Sequence, residues 1–119
     1  MINGKKSSER IKEALNATGL PWAYMLFRGE TYTDEQGIEH EVKPPFLVYY
    51  GAGQEKQSAD DTHYWSQDIY NVEYYFDEKN ETNEEGIEAA LLAAGFQFDK
   101  SEDVYLEDED LFAIYYYLS

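Results

Sequence analysis

Hydrophobic and polar positions change period several times along this chain, and each change marks an element. Residues 8 to 18, SERIKEALNAT, place Ile11, Ala14, Leu15 and Thr18 on one face of a 3.6-residue repeat, which predicts a helix. Ser7 or Ser8 is placed to cap its start. Gly19 suits the left-handed position just past its end, and Pro21 prevents continuation. WAYMLFR, at 22 to 28, reads as a strand, and the polar stretch 29 to 43 as a loop or hairpin. Pro44 and Pro45 open FLVYY, a strand over 46 to 50 that Gly51 and Gly53 are expected to break. Residues 54 to 66 then connect it to a strand over 68 to 76, and the whole segment predicts a long antiparallel hairpin. In that second strand Tyr70, Val72, Tyr74 and Phe76 alternate with Ile69, Asn71, Glu73 and Tyr75.

TNEEGIEAALLAAG, at 82 to 95, is the clearest helix. Thr82 and Glu85 have capping-box spacing, Ile87, Ala90, Leu91 and Ala94 form an apolar stripe, and Gly95 stands at the stop. Short strands are expected near 96 to 99 and 103 to 106, and a last one over 111 to 118. Helix, strands, helix, strands, without regular βαβ alternation, predicts an α+β fold. The expected architecture is one domain over 1–119, a mainly antiparallel sheet with two helices packed on one face and a long β-hairpin.

Two helices leave the second sheet face without a cover. On the last strand Phe112, Ile114, Tyr116 and Leu118 lie on one side and Leu111, Ala113, Tyr115 and Tyr117 on the other, so both sides are apolar. Tyrosine, with an apolar ring and a polar tip, suits a surface buried at one end only. Leu111, Ala113, Tyr115 and Tyr117, with Tyr49 and Tyr75, are therefore the candidate subunit interface. The alternative is a tyrosine-rich solvent face that needs no partner.

Composition narrows the partners. The net charge is −16, with 12 tyrosines and no cysteine. Disulfides and thiolate metal sites are excluded. Such acidity repels nucleic-acid phosphates and anionic lipid, so neither DNA nor a membrane is an expected ligand. The amino-terminal residues lack an apolar secretory segment, and no run approaches a membrane span, so the expected setting is intracellular.

Candidate chemistry is sparse. Asp77 to Glu88 superficially matches a calcium loop, but the sixth position is Thr82 rather than Gly and the third is Lys79, a competing cation. These acids are expected to sit in a solvated turn and favour the positive end of the following helix. Glu107 to Asp110 reads as a charged run that guards the last strand against unwanted pairing. His40 and His63 lie in polar segments without a nucleophile signature, Asp60, Asp61 and His63 read as a hairpin tip, and GAGQEKQS lacks the close of a phosphate loop. No catalytic residue, cofactor or metal ligand is expected.

An ordered set of short features carries a resemblance. It runs through Gly19-Leu20-Pro21, Pro44-Pro45-Phe46, Tyr49-Tyr50, Ala59-Asp60, Tyr64, Tyr70-x-Val72-Glu73, Asp77-x-Lys79, Glu85-x-Ile87-Glu88, Leu91 and the Tyr-rich end. In these the chain resembles small neck and tail-terminator (tail completion) proteins of tailed phages and prophages of Gram-positive bacteria. Phe76 and Asn80 depart from that family's turn, which carries Thr and Asp at those places. The resemblance implies a tail-terminator-like fold and a non-enzymatic structural role. It also implies a ring, usually hexameric, that joins the tail tube to head-completion proteins. The corresponding places would be the host cytoplasm during assembly and then the virion neck. The competing reading, from charge alone, is an acidic DNA mimic or small phage inhibitor of a host nucleic-acid enzyme.

Overall fold

The computed structural model describes residues 6–25, 31–33, 36–58 and 64–119. Helix α1 (Ser7–Ala17) leads into β1 (Trp22–Tyr24), β2 (Thr31–Thr33), β3 (Glu39–Glu41), β4 (Phe46–Ser58) and β5 (Tyr64–Phe76). Helix α2 (Glu81–Ala93) follows, then β6 (Phe98–Lys100), β7 (Val104–Leu106) and β8 (Leu111–Leu118). The main sheet has the order β1-β4-β5-β8-β6, and β7 also pairs with β8. Among the described strands only β1 and β4 run parallel. The fold is thus α+β with a mostly antiparallel six-stranded sheet. Strands β2 and β3 form a separate two-stranded hairpin within the segment expected to be a loop or hairpin.

Burial follows the predicted stripes. Ile11, Ala14 and Leu15 of α1 and Ile87 and Leu91 of α2 pack on Leu47, Val72, Tyr74, Phe76, Ile114, Tyr116 and Leu118. Each fully buried aliphatic or aromatic side chain stabilises the fold by roughly 1.5–3 kcal/mol. Both helices therefore cover one face of the sheet.

Helix ends differ from expectation at their starts and agree at their stops. The N-cap of α1 is Lys6, with no side-chain cap, so neither Ser7 nor Ser8 plays that part. Helix α2 begins before the Thr82–Glu85 box: Asn80 is its N-cap, and the Asn80 Oδ1 accepts from the Asn83 N–H at 3.0 Å. Asn is as good a cap as Thr, and the earlier one adds helical residues. At the stop, Gly95 has φ +89°, the Phe96 N–H donates to Leu91 O and the Gly95 N–H to Leu92 O. This closure satisfies two end carbonyls and folds buried Phe96 back under the helix.

The hairpin is longer than predicted. Gly51 and Gly53 do not end β4. Gly51 pairs with Tyr70 and Gln54 with Asp68, so β4 carries one extra residue at a bulge. Gly53, at φ +105°, takes the conformation an L side chain resists. A second bulge joins β6 and β7 into one edge: Lys100 pairs with Tyr116 and Val104 with Ala113, again one residue out of step. Four residues, Glu107 to Asp110, turn that edge into β8.

Candidate interface on the open sheet face

Strand alternation dictates what faces away from the helices. Three cross-strand rows run over β4, β5 and β8: Phe46–Tyr75–Ala113, Val48–Glu73–Tyr115 and Tyr50–Asn71–Tyr117. Leu111 continues the β8 side of this face beside Leu106. No described helix covers it. Tyr117 is 47% exposed, while Phe46, Tyr50, Tyr75, Leu111 and Tyr115 are half-buried. Small Ala113, between its cross-strand neighbours Tyr75 and Val104, is fully covered.

Tyr49 belongs elsewhere. It is 4% exposed on the helix-covered side, with ring contacts to Trp22, Tyr24 and Tyr70 at centroid distances of 5.8, 5.1 and 5.8 Å. Tyr49 and Tyr50 are adjacent, so one must face each way. The apolar character of both gave no hint of which, and pairing of Tyr49 with core residue Val72 settles it. Of this pair it is Tyr50 that lies on the open face. Of the other candidates, Leu111, Ala113, Tyr115, Tyr117 and Tyr75 do share the open face.

Glu73 sits at the centre of this aromatic field, between Val48 and Tyr115 across the strands. Its alternation with Tyr75 already placed it on this side. The Tyr75 hydroxyl donates to Glu73 Oε1 at 2.6 Å, and the Tyr75 ring stacks on Phe46 at 5.1 Å and 20°. Burial, the bond to Glu73 and the carboxylate's negative charge all push the Tyr75 hydroxyl far above its ordinary pKa. Burial likewise raises Tyr115, with Glu73, Tyr117 and Tyr50 adding to it. The Tyr75 and Tyr115 phenols therefore stay neutral at physiological pH.

Several of the described acids outside this face are committed to partners. Glu84, expected among the solvated acids near the helix start, is 3% exposed. Lys79 Nζ lies 2.8 Å from its Oε2 and Lys100 Nζ 2.9 Å from its Oε1. Lys79 also meets Asp103 at 3.0 Å, and Lys100 meets Glu88 at 2.9 Å. The Tyr116 hydroxyl donates to Glu88 Oε2 at 2.9 Å. Lys79 and Lys100 reach this carboxylate from the preceding turn and from β6, so the network ties α2 to the sheet edge. Sequence proximity hid it, because Glu84 is the only one of its acidic neighbours turned inward. Among the described residues, no group of three or more His, Cys, Asp or Glu side chains is placed to hold a metal ion. In the 107–110 turn the Tyr105 hydroxyl donates to Asp110 at 2.8 Å. His40 pairs with Tyr32 in the small hairpin. Asp60, Asp61 and His63 lie outside the described residues.

Among the described residues no helix is long and apolar enough to cross a membrane. No protein-family model matches the chain, and no curated protein matches it.

Proposed function

We propose that this chain is a structural subunit of a tailed-phage neck, a tail-terminator or head–tail joining protein that assembles into a hexameric ring through its open sheet face. The observation that carries the reading is that face: half-buried tyrosine and phenylalanine over three strands, with both helices committed to the opposite side. A ring needs two different patches on each subunit, and a one-sided two-layer domain offers them. The sequence resemblance to neck and tail-terminator proteins supports the same role. On this reading the chain performs no catalysis. It works in the host cytoplasm during assembly and remains at the virion neck, between tail tube and head-completion proteins.

A capping ring stops polymerisation by covering the exposed subunit face of the tube. Phage lacking the gene, complemented during growth and imaged after one uncomplemented cycle, should show filled heads beside unattached, length-variable tails. Normal infectious virions would refute the role. They would turn attention to the acidic DNA-mimic reading, which the net charge of −16 favours and which plating on nuclease-defended hosts would test.

A further inference from the structure

Charge decides how two copies of this chain can meet. Residues 1 to 12 hold Lys5, Lys6, Arg10 and Lys12 against Glu9 alone; the remaining residues hold five bases and 24 acids. The amino-terminal segment is thus the one basic stretch of an acidic molecule. Lys6 is exposed at the N-cap of α1, where the helix dipole adds further positive potential. Arg10, one turn on, lies over the Phe96 ring at 4.4 Å. Of the other described lysines, Lys79 and Lys100 are already held by carboxylates.

The open face has the opposite character. Glu73 lies amid Tyr50, Tyr75, Tyr115 and Tyr117, and exposed Asp99 pairs with Tyr117 on the same side. A carboxylate framed by tyrosine rings offers a cation both an ion pair and ring faces. A two-fold contact between open faces would set the acidic surface of Glu73 and Asp99 against the same acidic surface of the other copy. Like charges there cost affinity. Helix α1 lies in the helix layer, on the other side of the sheet. A contact from α1 to the open face is therefore head-to-tail, which closes into rings or runs on as filaments.

Resting on the ring reading above, we infer that the open face of each subunit receives the amino-terminal end of α1 from a second copy, with Lys6 seated against Glu73 and its tyrosine frame. Lys6 and Glu73 then form the charged centre of a heterologous contact whose apolar area comes from Phe46, Tyr50, Tyr115 and Tyr117.

Sedimentation velocity across concentration tests this with five proteins: the parent, Glu73→Lys, Lys6→Glu, the Glu73→Lys/Lys6→Glu exchange and Tyr115→Lys/Tyr117→Lys. Each single charge reversal should weaken self-association at least about tenfold, as expected for reversing one partner of a close charge pair. The exchange keeps the parental nine bases and 25 acids and should recover association to within about threefold. Thermal melts followed by circular dichroism establish that each variant is folded. Association unchanged in either reversal, or no recovery in the exchange, would overturn the pairing. If the tyrosine variant alone loses association, the face is used but the Lys6–Glu73 contact is wrong. A parent that stays monomeric, or a tyrosine variant that associates normally, would count against face-mediated assembly and overturn the pairing with it.

Discussion

Replacing Lys79 and Lys100 together by Met should destabilise the fold far more than the two single replacements added. Each Lys→Met change keeps the apolar stem and removes one ammonium from Glu84. The lysine side chains are 45% and 34% exposed, while that of Glu84 is 4% exposed. In a single variant Glu84 keeps one cation, so the loss is discounted for solvent screening to about 0.5–1 kcal/mol. In the double variant the carboxylate is buried with no cation, which costs on the order of 3 kcal/mol or more. The coupling between the lysines is then about 1–2 kcal/mol, the difference a double-mutant cycle reads. The pH dependence gives a second check. Burial pushes Glu84 up, but hydrogen bonds and charge from Lys79 and Lys100 outweigh it, so its carboxyl titrates below the ordinary value. A lowered folded pKa contributes stability that is present above the unfolded value, about 4.3, and lost as pH falls through the folded one. In the double variant burial acts alone, the folded pKa rises, and protonation relieves the penalty as pH falls. Both effects shrink the gap between parent and double variant on acidification. Urea unfolding at pH 7 and near pH 4 measures it. Additive single effects, or a gap of equal size at both pH values, would refute the argument.

Two further perturbations address local structure. Asn80→Ala removes the side chain that caps α2 at Asn83, and chemical denaturation should show a loss of about 1 kcal/mol. Gly53→Val forces a β-branched residue into φ +105° at the β4 bulge, where no neighbouring atom obstructs a Cβ, so the cost is backbone strain of roughly 1–2 kcal/mol. Beyond Gly51 and Tyr70 the described strands β4 and β5 pair only with each other. Amide exchange should therefore quicken in that arm while the core strands keep their protection.

The fold class was legible because helix and strand periods are cleanly separated in this chain. Both helical stops followed from Gly19 and Gly95, and β8 matches its expected span of 111 to 118. The failures have local causes. Gly51 and Gly53 looked like breakers, yet one extra residue in a bulge lets the ladder resume at Gln54. Thr82 and Glu85 have the right spacing for a cap, but Asn80 reaches the backbone first. Glu84 looked solvated because its neighbours are acids. Its inward turn depends on Lys100, which β8 brings near only after the sheet forms. The open face was legible along β8 by alternation, and Tyr49 was misplaced because side selection in β4 depends on pairing with β5.

Tyrosine explains why composition could not separate the two faces. On the covered side Tyr74 and Tyr116 are fully buried, yet their hydroxyls reach the rim of the helix layer, Tyr74 accepting from Asn83 at 3.3 Å and Tyr116 donating to Glu88 at 2.9 Å. On the open side Tyr75 closes the same kind of bond with Glu73. In each case the ring is packed against neighbours and the hydroxyl is given a polar partner. An open face built this way differs from an exposed patch of leucine or isoleucine. The Tyr75 tip is already satisfied within the subunit, and the half-buried rings keep part of their surface against their own neighbours. Association through it therefore adds little hydrophobic gain per residue and depends on charge matching and on several contacts forming together. For a subunit proposed to close a ring only where a tube ends, that weakness is an advantage. Free copies would associate only weakly, and increasingly with concentration, against the repulsion of their net charge of −16, and a tube end presenting several sites at once would raise the effective concentration enough to complete the ring.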